Sequence, residues 1–157
     1  MSEFKVVTFK IRNEEYALDI MKIDSIVEIE KITKIPQAPT FVEGIMDFRG
    51  TVVPVISGTR KFTVSSEKKQ RDENKKSNRA IIVNTRGKKI AILVDEVKEV
   101  LSLSQENLEE PPKEVSSENN KYISAIADIN GRMIIVLDVE KILTAKEAID
   151  LSKIKTT

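Results

Sequence analysis

Three two-residue turns that end in glycine divide this chain into short segments, and they constrain its fold more than any other feature of the sequence. Glycine adopts positive φ at no steric cost, so each pair can close a tight β-hairpin. The flanking runs, such as Ile45–Phe48 and Thr51–Ile56, are short and mostly apolar. We therefore predict several antiparallel hairpins. The turns are Arg49-Gly50, Arg86-Gly87 and Asn130-Gly131.

The hairpin closed by Arg49-Gly50 has two further features. Pro54 lies in its second strand, and proline has no N–H for a sheet, so we expect that strand at a sheet edge or a bulge at that position. Arg49 lies at the tip, where its five donors could bind carbonyl groups or a carboxylate. The sequence predicts a rigid hairpin with a polar tip.

The composition of this 157-residue chain favours strands over helices, because isoleucine and valine greatly outnumber leucine. The length suits one core or two small cores packed together. Residues 65–79 contain no apolar side chain, so we expect a surface loop that separates two groups of strands. A single sandwich and two closed barrels are both compatible with this pattern. We prefer two barrels, because closure removes exposed sheet edges.

Short helical segments are predicted between and after the strands. Ile20 and Ile23 are three residues apart, which suits one helical turn, and a short helix is expected to begin at Ser104. Asp138 can cap a short helix, and Thr144 opens a capping box. We therefore predict a C-terminal helix over about residues 138–151.

Cysteine and histidine are absent, and this excludes several mechanisms. A disulfide framework, a thiolate nucleophile, a Cys/His zinc site and any relay through imidazole all require these residues. No spaced acidic loop for calcium is visible. The N-terminus alternates polar and apolar residues, so we expect neither a signal peptide nor a membrane span, and we expect a soluble intracellular protein. No cofactor or metal is predicted.

Two other functions remain open on the residues alone. A nucleic-acid-binding barrel would use basic residues of the 65–79 loop, but the formal net charge is only +1 and no aromatic is interleaved for base stacking. An enzyme would need a carboxylate base such as Asp95 or Glu96, and no nucleophile–base pair is visible. The basic residues are Lys68, Lys69, Arg71, Lys75 and Lys76.

Four motifs together resemble the CheW-like family, the coupling proteins of bacterial chemotaxis. They fall in the order and approximate spacing of that family, and the resemblance covers about Phe4 to Leu143. Any one of them alone would be a weak signal. The motifs are Glu15–Ile20, the hairpin Gly44–Ile56, Val94–Leu101 and Gly131–Asp138.

The resemblance implies a mainly β fold of two five-stranded SH3-like barrels packed together, with short helices and a C-terminal helix, as one CheW-like domain over residues 1–150. The first barrel is expected at about residues 15–80, and the second at about residues 1–14 and 81–143. The implied function is a non-catalytic adaptor that couples chemoreceptors to the histidine kinase CheA. It would be cytoplasmic and recruited to receptor arrays at the membrane.

The resemblance also implies contact residues for two partners, the cytoplasmic tip of a chemoreceptor and the regulatory domain of the kinase. From the residues alone, the sequence favours core positions for Ile23, Ile45 and Val100, and Arg49 could equally brace the fold or bind a partner. The implied receptor contacts are Ile23, Ser25, Ile26, Gly44, Asp47, Arg49, Gly50 and Val100. The implied kinase contacts are Val94, Val97 and Leu101.

Several residues depart from the pattern of the family. Asp47 and Phe48 replace the usual asparagine and leucine, and this change could either create a pair between Asp47 and Arg49 or simply expose an acid. Ser25 stands where many members have glutamate. Ser57-Gly58 replaces the common Asp/Asn-Leu, which weakens the expectation of a helix after it.

Overall fold

The computed structural model describes residues 3–62, 78–113 and 121–143, and they fold mainly as β-strands in two sheets. The predicted mainly β fold class is confirmed. The strands are β1 (Phe4–Ile11), β2 (Glu14–Asp19), β3 (Ile23–Glu28), β4 (Val42–Phe48), β5 (Thr51–Ser57), β6 (Arg79–Thr85), β7 (Lys88–Val94), β8 (Glu96–Leu103), β9 (Leu108–Glu109), β10 (Ile123–Ile129) and β11 (Arg132–Leu137).

The first sheet has five strands in the order β3-β6-β7-β5-β4. After β3, the chain continues to Thr33, which forms an isolated antiparallel bridge with Ile45 of β4. The segment that follows edge strand β3 therefore pairs with the other edge strand, β4. This contact draws the two edges together, as expected for an SH3-like barrel.

The second sheet has six strands in the order β8-β1-β2-β11-β10-β9. Its edge strands β8 and β9 follow each other in the chain through a 3₁₀ turn at Gln105–Asn107. One bent segment therefore supplies both edges. Arg132 of β11 also donates to Glu99 of β8 at 2.9 Å, although three strand spacings of about 4.8 Å separate their strands in a flat sheet. The sheet is strongly curled, in agreement with a small barrel.

The two sheets divide the chain at other positions than those expected from the sequence. β2 was placed in the first barrel, but it pairs with β1 in the second sheet, because the short turn after Ile11 keeps this hairpin together. β6 and β7 were mostly placed in the second barrel, but they pair with β3 and β5 in the first sheet. The segment between Phe62 and Asn78 thus joins two strands of one sheet and does not separate the barrels.

All three glycine-ended turns form the predicted hairpins. The first residue of each pair has φ between 51° and 53°, and the glycine has φ between 77° and 87°. Two successive residues with positive φ define a type I′ turn, which matches the right-handed twist of the adjoining strands. Arginine carries a Cβ and still adopts this conformation at Arg49 and Arg86.

Pro54 does not lie in an edge strand, so that expectation was wrong. Its strand β5 lies between β4 and β7. The parallel pairing with β7 covers Val55 to Ser57, and Pro54 precedes it. A bulge is present in the same pair of strands, but it lies between Val42 and Gly44 of β4. The missing N–H is tolerated because the ladder begins one residue after the proline.

The predicted short helical segments are present where the chain is described. Ile20–Lys22 is a 3₁₀ turn capped by the Asp19 carboxylate, which accepts from the Met21 N–H at 2.9 Å. A second such turn, Val139–Lys141, is capped by Asp138. The rest of the predicted C-terminal helix, from residue 144 onward, lies outside the described residues.

A short helix, α1 (Gly58–Phe62), follows β5 despite the unusual Ser57-Gly58 pair. The Ser57 hydroxyl accepts from the Arg60 N–H at 3.1 Å and so caps the first turn. A Cβ on Gly58 would lie 2.4 Å from the Leu93 carbonyl oxygen. Glycine at this position therefore allows the helix to pack closely on β7.

Three apolar clusters stabilise the fold. One lies on a face of the first sheet and includes Val53 and Ile82, and another lies on a face of the second and includes Val6 and Ile134. The largest, which we call the shared cluster, takes residues from both sheets and packs them against each other. Its fully buried members include Phe9, Ile11 and Leu18 from the second sheet and Ile56, Ile81 and Ile92 from the first.

Replacing Ile92 with Ala removes apolar contacts from the shared cluster, and we expect the free energy of unfolding to fall by about 2–5 kcal/mol. Urea unfolding followed by circular dichroism measures the loss. The matched control is Ile26→Ala, because Ile26 is 40% exposed on β3 and its truncation should cost below about 1 kcal/mol. Equal losses in the two variants would contradict the assignment of Ile92 to the central packing.

Candidate functional site

The implied receptor contacts of the first sheet lie on its two edge strands and at one hairpin tip. Ile23, Ser25 and Ile26 are on β3, and Asp47 is on β4 next to the turn. β3 alternates half-buried and exposed side chains, so Ser25 is half-buried and Ile26 is exposed. These residues therefore lie on both edge strands of the first sheet.

Arg49 is exposed at the tip of its hairpin, and its guanidinium lies over the Phe48 ring at 4.7 Å from the ring centroid. This cation–π contact orients the arginine along the hairpin. No ion pair between Asp47 and Arg49 is found among the described residues, so the suggested Asp47–Arg49 pair does not form. Phe48 itself is buried, which fixes the base of the stack.

Asp24 connects β3 to Lys89 of β7. Its carboxylate accepts from the Lys89 ammonium at 2.9 Å and from the Ser25 hydroxyl at 2.8 Å. These hydrogen bonds, first from Lys89 and then from Ser25, lower the pKa of Asp24, and the nearby charge of Arg49 contributes in the same direction. Asp24 therefore carries a negative charge that is hydrogen-bonded to the Lys89 ammonium.

Gly44 is buried on β4 and has a structural role. Its φ is 153°, and a Cβ would lie 2.3 Å from the Thr33 carbonyl oxygen and 2.8 Å from Ile32 Cγ2. Because Thr33 forms the bridge that closes the first sheet, Gly44 allows the backbones to approach at that bridge. The resemblance implied a receptor contact at Gly44. Its burial and this close packing instead indicate that glycine is needed here for the fold.

Val100 lies on the other sheet and is 52% exposed. Its partner across the strands is Val7, whose own partner on β2 is Leu18, a member of the shared cluster. Ile23 packs against the same cluster from the first sheet. Ile23 thus contacts the shared cluster, whereas Val100 is connected to it only through this row of strand partners.

The three implied kinase contacts differ in exposure. Val97 and Leu101 on β8 are half-buried, and they pack against the shared cluster and the cluster of the second sheet, respectively. Val94 is only 2% exposed and belongs to the shared cluster. Its assignment as a contact residue is therefore corrected, because an apolar side chain at the end of β7 is buried by the packing of the sheets.

A bulge shapes strand β8 between these residues. Thr8 of β1 is opposite Glu99, but the next residue, Phe9, is opposite Val97. Lys98 is therefore the extra residue, and the alternation of faces changes at this point. The Thr8 hydroxyl donates to the Glu99 carbonyl at 3.2 Å beside the bulge.

An ion cluster of Arg132, Glu15 and Glu99 was not predicted from the sequence. Arg132 binds Glu15 with two hydrogen bonds, from Nε to Oε1 at 3.1 Å and from Nη2 to Oε2 at 2.6 Å. The same Nη2 donates to Glu99 at 2.9 Å. Glu15 and Arg132 are 117 residues apart in the chain, so no local pattern could pair them.

The candidate base Asp95 has a structural partner. Asp95, a candidate base, accepts from the Arg12 backbone N–H and so ties β1 to the segment after β7. Within residues 3–62, 78–113 and 121–143, no group of acidic side chains could hold a metal ion. None of the helices in these parts of the chain is long and apolar enough to cross a membrane. The five basic residues of the alternative nucleic-acid site lie outside the described residues.

Two curled sheets around a shared apolar cluster, with exposed side chains on both, define a β-barrel protein suited to contacts with other proteins. The model of the CheW-like domain matches residues 5–147. The chain therefore belongs to the CheW-like family, and its family and its likeness to a scaffolding protein indicate a chemotaxis adaptor.

Curated relatives and a solved structure agree with this. The chain is 31% identical to the chemotaxis protein CheW of Thermotoga maritima, over 95% of each chain. It is 30% identical to that of Treponema pallidum, over 92% of this chain and 85% of the relative. The crystal structure of the scaffolding protein TtCheW from Thermoanaerobacter tengcongensis superposes with a TM-score of 0.78 at 32% identity, covering 93% of this chain and 96% of that one.

The ion cluster predicts a pH dependence of stability. The hydrogen bonds from Arg132 lower the pKa of Glu15 below its usual value of 4.5, although desolvation opposes this shift. A group whose pKa is lower in the folded state contributes stability above its unfolded pKa, and loses it as the pH falls through the folded pKa. We therefore expect Glu15→Gln to be less stable than the parent protein at pH 7.

Urea unfolding of the two proteins between about pH 7 and pH 3 tests this. The difference in unfolding free energy should be constant above the unfolded pKa of Glu15 and should shrink in more acidic solution, because the protonated carboxyl resembles the amide. A difference that persists unchanged at the lowest pH would show that charge on Glu15 does not stabilise the fold.

Proposed function

We propose that this chain couples chemoreceptors to the histidine kinase CheA by binding both at once. The observation that carries the proposal is the placement of its exposed residues: an arginine-tipped hairpin on the first sheet and strand β8 on the second. Membership of the CheW-like family supports the same reading. A body that joins two partners needs two surfaces held at a fixed distance, and a shared core supplies this rigidity.

The receptor surface would run from the Arg49 hairpin along β3 to the junction of the two sheets. Exposed Ile26 and Val100 would supply apolar contact area, and Arg49 would bind carboxylate or carbonyl groups. A helical segment with a line of apolar residues fits such a surface, because its side chains lie on one face at spacings of three and four. The cytoplasmic tip of a receptor is the proposed partner.

The kinase surface would be the β8 side of the second sheet, with Val97 and Leu101 as its proposed residues. β8 is an edge strand, so part of its backbone is available for a partner. The regulatory domain of CheA is the proposed partner. Val94 is left out of this surface because it is buried.

The remaining parts of the proposal follow from this role. The chain would have no catalytic activity of its own, since the phosphate chemistry would belong to the kinase. It would act in the cytoplasm and be recruited to receptor arrays at the inner face of the membrane. Contacts of micromolar strength, about 8 kcal/mol each, would allow reversible assembly in which several contacts act together.

Replacing Arg49 with Ala should weaken receptor binding about tenfold and leave binding to the kinase regulatory domain nearly unchanged. The turn should be preserved, because arginine and alanine both carry a Cβ and adopt positive φ at position 49 at similar cost. Binding to receptor-bearing membranes is measured by co-sedimentation, and binding to the kinase domain by calorimetry.

The matched control is Arg86→Ala, since Arg86 has φ 52° in the same type of turn, on the other hairpin of the first sheet. Its affinity for both partners should equal that of the parent protein. Equal losses of receptor and kinase binding in Arg49→Ala, with an unchanged melting temperature, would contradict separate surfaces. Kinase that reaches the membranes equally well without this chain would contradict coupling itself.

A further inference from the structure

The ion cluster of Arg132, Glu15 and Glu99 continues the inner face of the second sheet. Glu15 is opposite Ile134 on the neighbouring strand, and Arg132 lies two residues before it, on the same face. Ile134 is fully buried in the apolar cluster of this sheet. The side chain of Glu15 is only 14% exposed, whereas those of Arg132 and Glu99 are 39% and 44% exposed. The ion cluster thus lies at one end of the apolar cluster of the second sheet, with Glu15 on the inside and Arg132 and Glu99 facing solvent.

The cluster also joins two strands, β11 and β8, that do not pair with each other. β11 and β8 are separated by β2 and β1 in the sheet, and only the curl of the sheet brings Arg132 to Glu99. The planar guanidinium binds Glu15 with two donors and reaches Glu99 with one of the same nitrogens. This geometry requires arginine, because an ammonium group is a point charge without a fixed fork.

Glu99 lies at the bulge of β8, where an edge strand is least constrained by backbone pairing. Its carbonyl accepts from Thr8 and its carboxylate from Arg132, so both ends of this residue are held. The bulge determines which face each following residue occupies. Val100 is exposed and Leu101 points to the interior only while this register is kept.

We propose that Arg132 is a positioning residue, which holds Glu99 beside the bulge and thereby sets the register of β8 for partner binding. Arg132 would contact neither partner. Its consequence for binding rests on the proposed function of β8, whereas its effect on the strand itself does not. The cluster is therefore a link between the interior of the second barrel and its partner surface.

The test compares Arg132→Gln, Glu99→Gln and the double variant with the parent protein. Hydrogen exchange of the backbone amides of β8, read by NMR, reports the strand directly. We expect exchange at least about threefold faster around Val97 to Leu101 in each single variant, with β6 and β7 unchanged. The double variant should be no worse than Arg132→Gln, because that single change already removes the contact between Arg132 and Glu99.

Binding is measured on the same proteins. Both receptor and kinase affinity should fall about three- to tenfold, unlike the effect of Arg49→Ala, which is confined to the receptor. Arg132→Lys should recover only part of the loss, because it restores charge without the bidentate geometry. The control Lys88→Gln removes one positive charge at an exposed turn of the other sheet and should change neither readout.

The outcomes separate this inference from the proposed function. Unchanged exchange in β8 of Arg132→Gln would overturn the positioning role, and so would an equal increase across both sheets, because that would mean general loss of stability. Full recovery by lysine would overturn the requirement for a guanidinium. Faster exchange in β8 alone, with both affinities unchanged, would confirm that Arg132 holds the strand but would overturn its role in binding. In that case the assignment of β8 to a partner surface would be wrong.

Discussion

The apolar contact between the two sheets is the interaction on which the rest of the structure depends. Each sheet is small and buries one cluster of its own, but the shared cluster is the largest and takes fully buried side chains from β1, β2, β6 and β7. A chain of aromatic rings runs through it, from Phe9 to Tyr16 to Phe62 to Tyr122, with neighbouring centroids 5.0–5.9 Å apart. Such packing resists small displacements, so the sheets are held as one body.

Because the two sheets are held as one body, the exposed residues keep fixed positions relative to each other. Arg49 extends from the first sheet, and β8 forms an edge of the second, where Glu99 and Val100 are exposed. Polar interactions then orient what the core has placed: Phe48 supports Arg49, Asp24 joins Lys89 to Ser25, and Arg132 reaches Glu99. Each of these contacts fixes the orientation of a side chain at the surface. A contact of modest energy is sufficient for that.

The sequence predicted the features that local physics determines. Two residues with positive φ are needed at a two-residue hairpin, and glycine in second place at Arg49-Gly50 and Asn130-Gly131 was a sufficient signal. The cap at Asp138 was readable for the same reason, because the acceptor and donor lie two residues apart. The mainly β class followed from the abundance of isoleucine and valine.

Features set by distant residues could not be predicted in this way. The division of strands between sheets depends on which hairpins pack together. The polar run after Phe62 was a misleading boundary because the strands before and after it, β5 and β6, belong to one sheet. Val94 has the same residue type as exposed Val100, and only the packing of the two sheets distinguishes them. Pro54 was assigned to an edge because its pairing with β7, which begins one residue later, leaves no trace in the sequence.

The central claim is that one rigid body carries two partner surfaces that work at the same time. Light scattering of the purified chain with a receptor tip fragment and the kinase regulatory domain tests this most directly. We predict a ternary complex with a mass that requires all three components, formed in either order of addition. Displacement of the kinase domain by the receptor fragment, with only binary complexes at any concentration, would contradict the account.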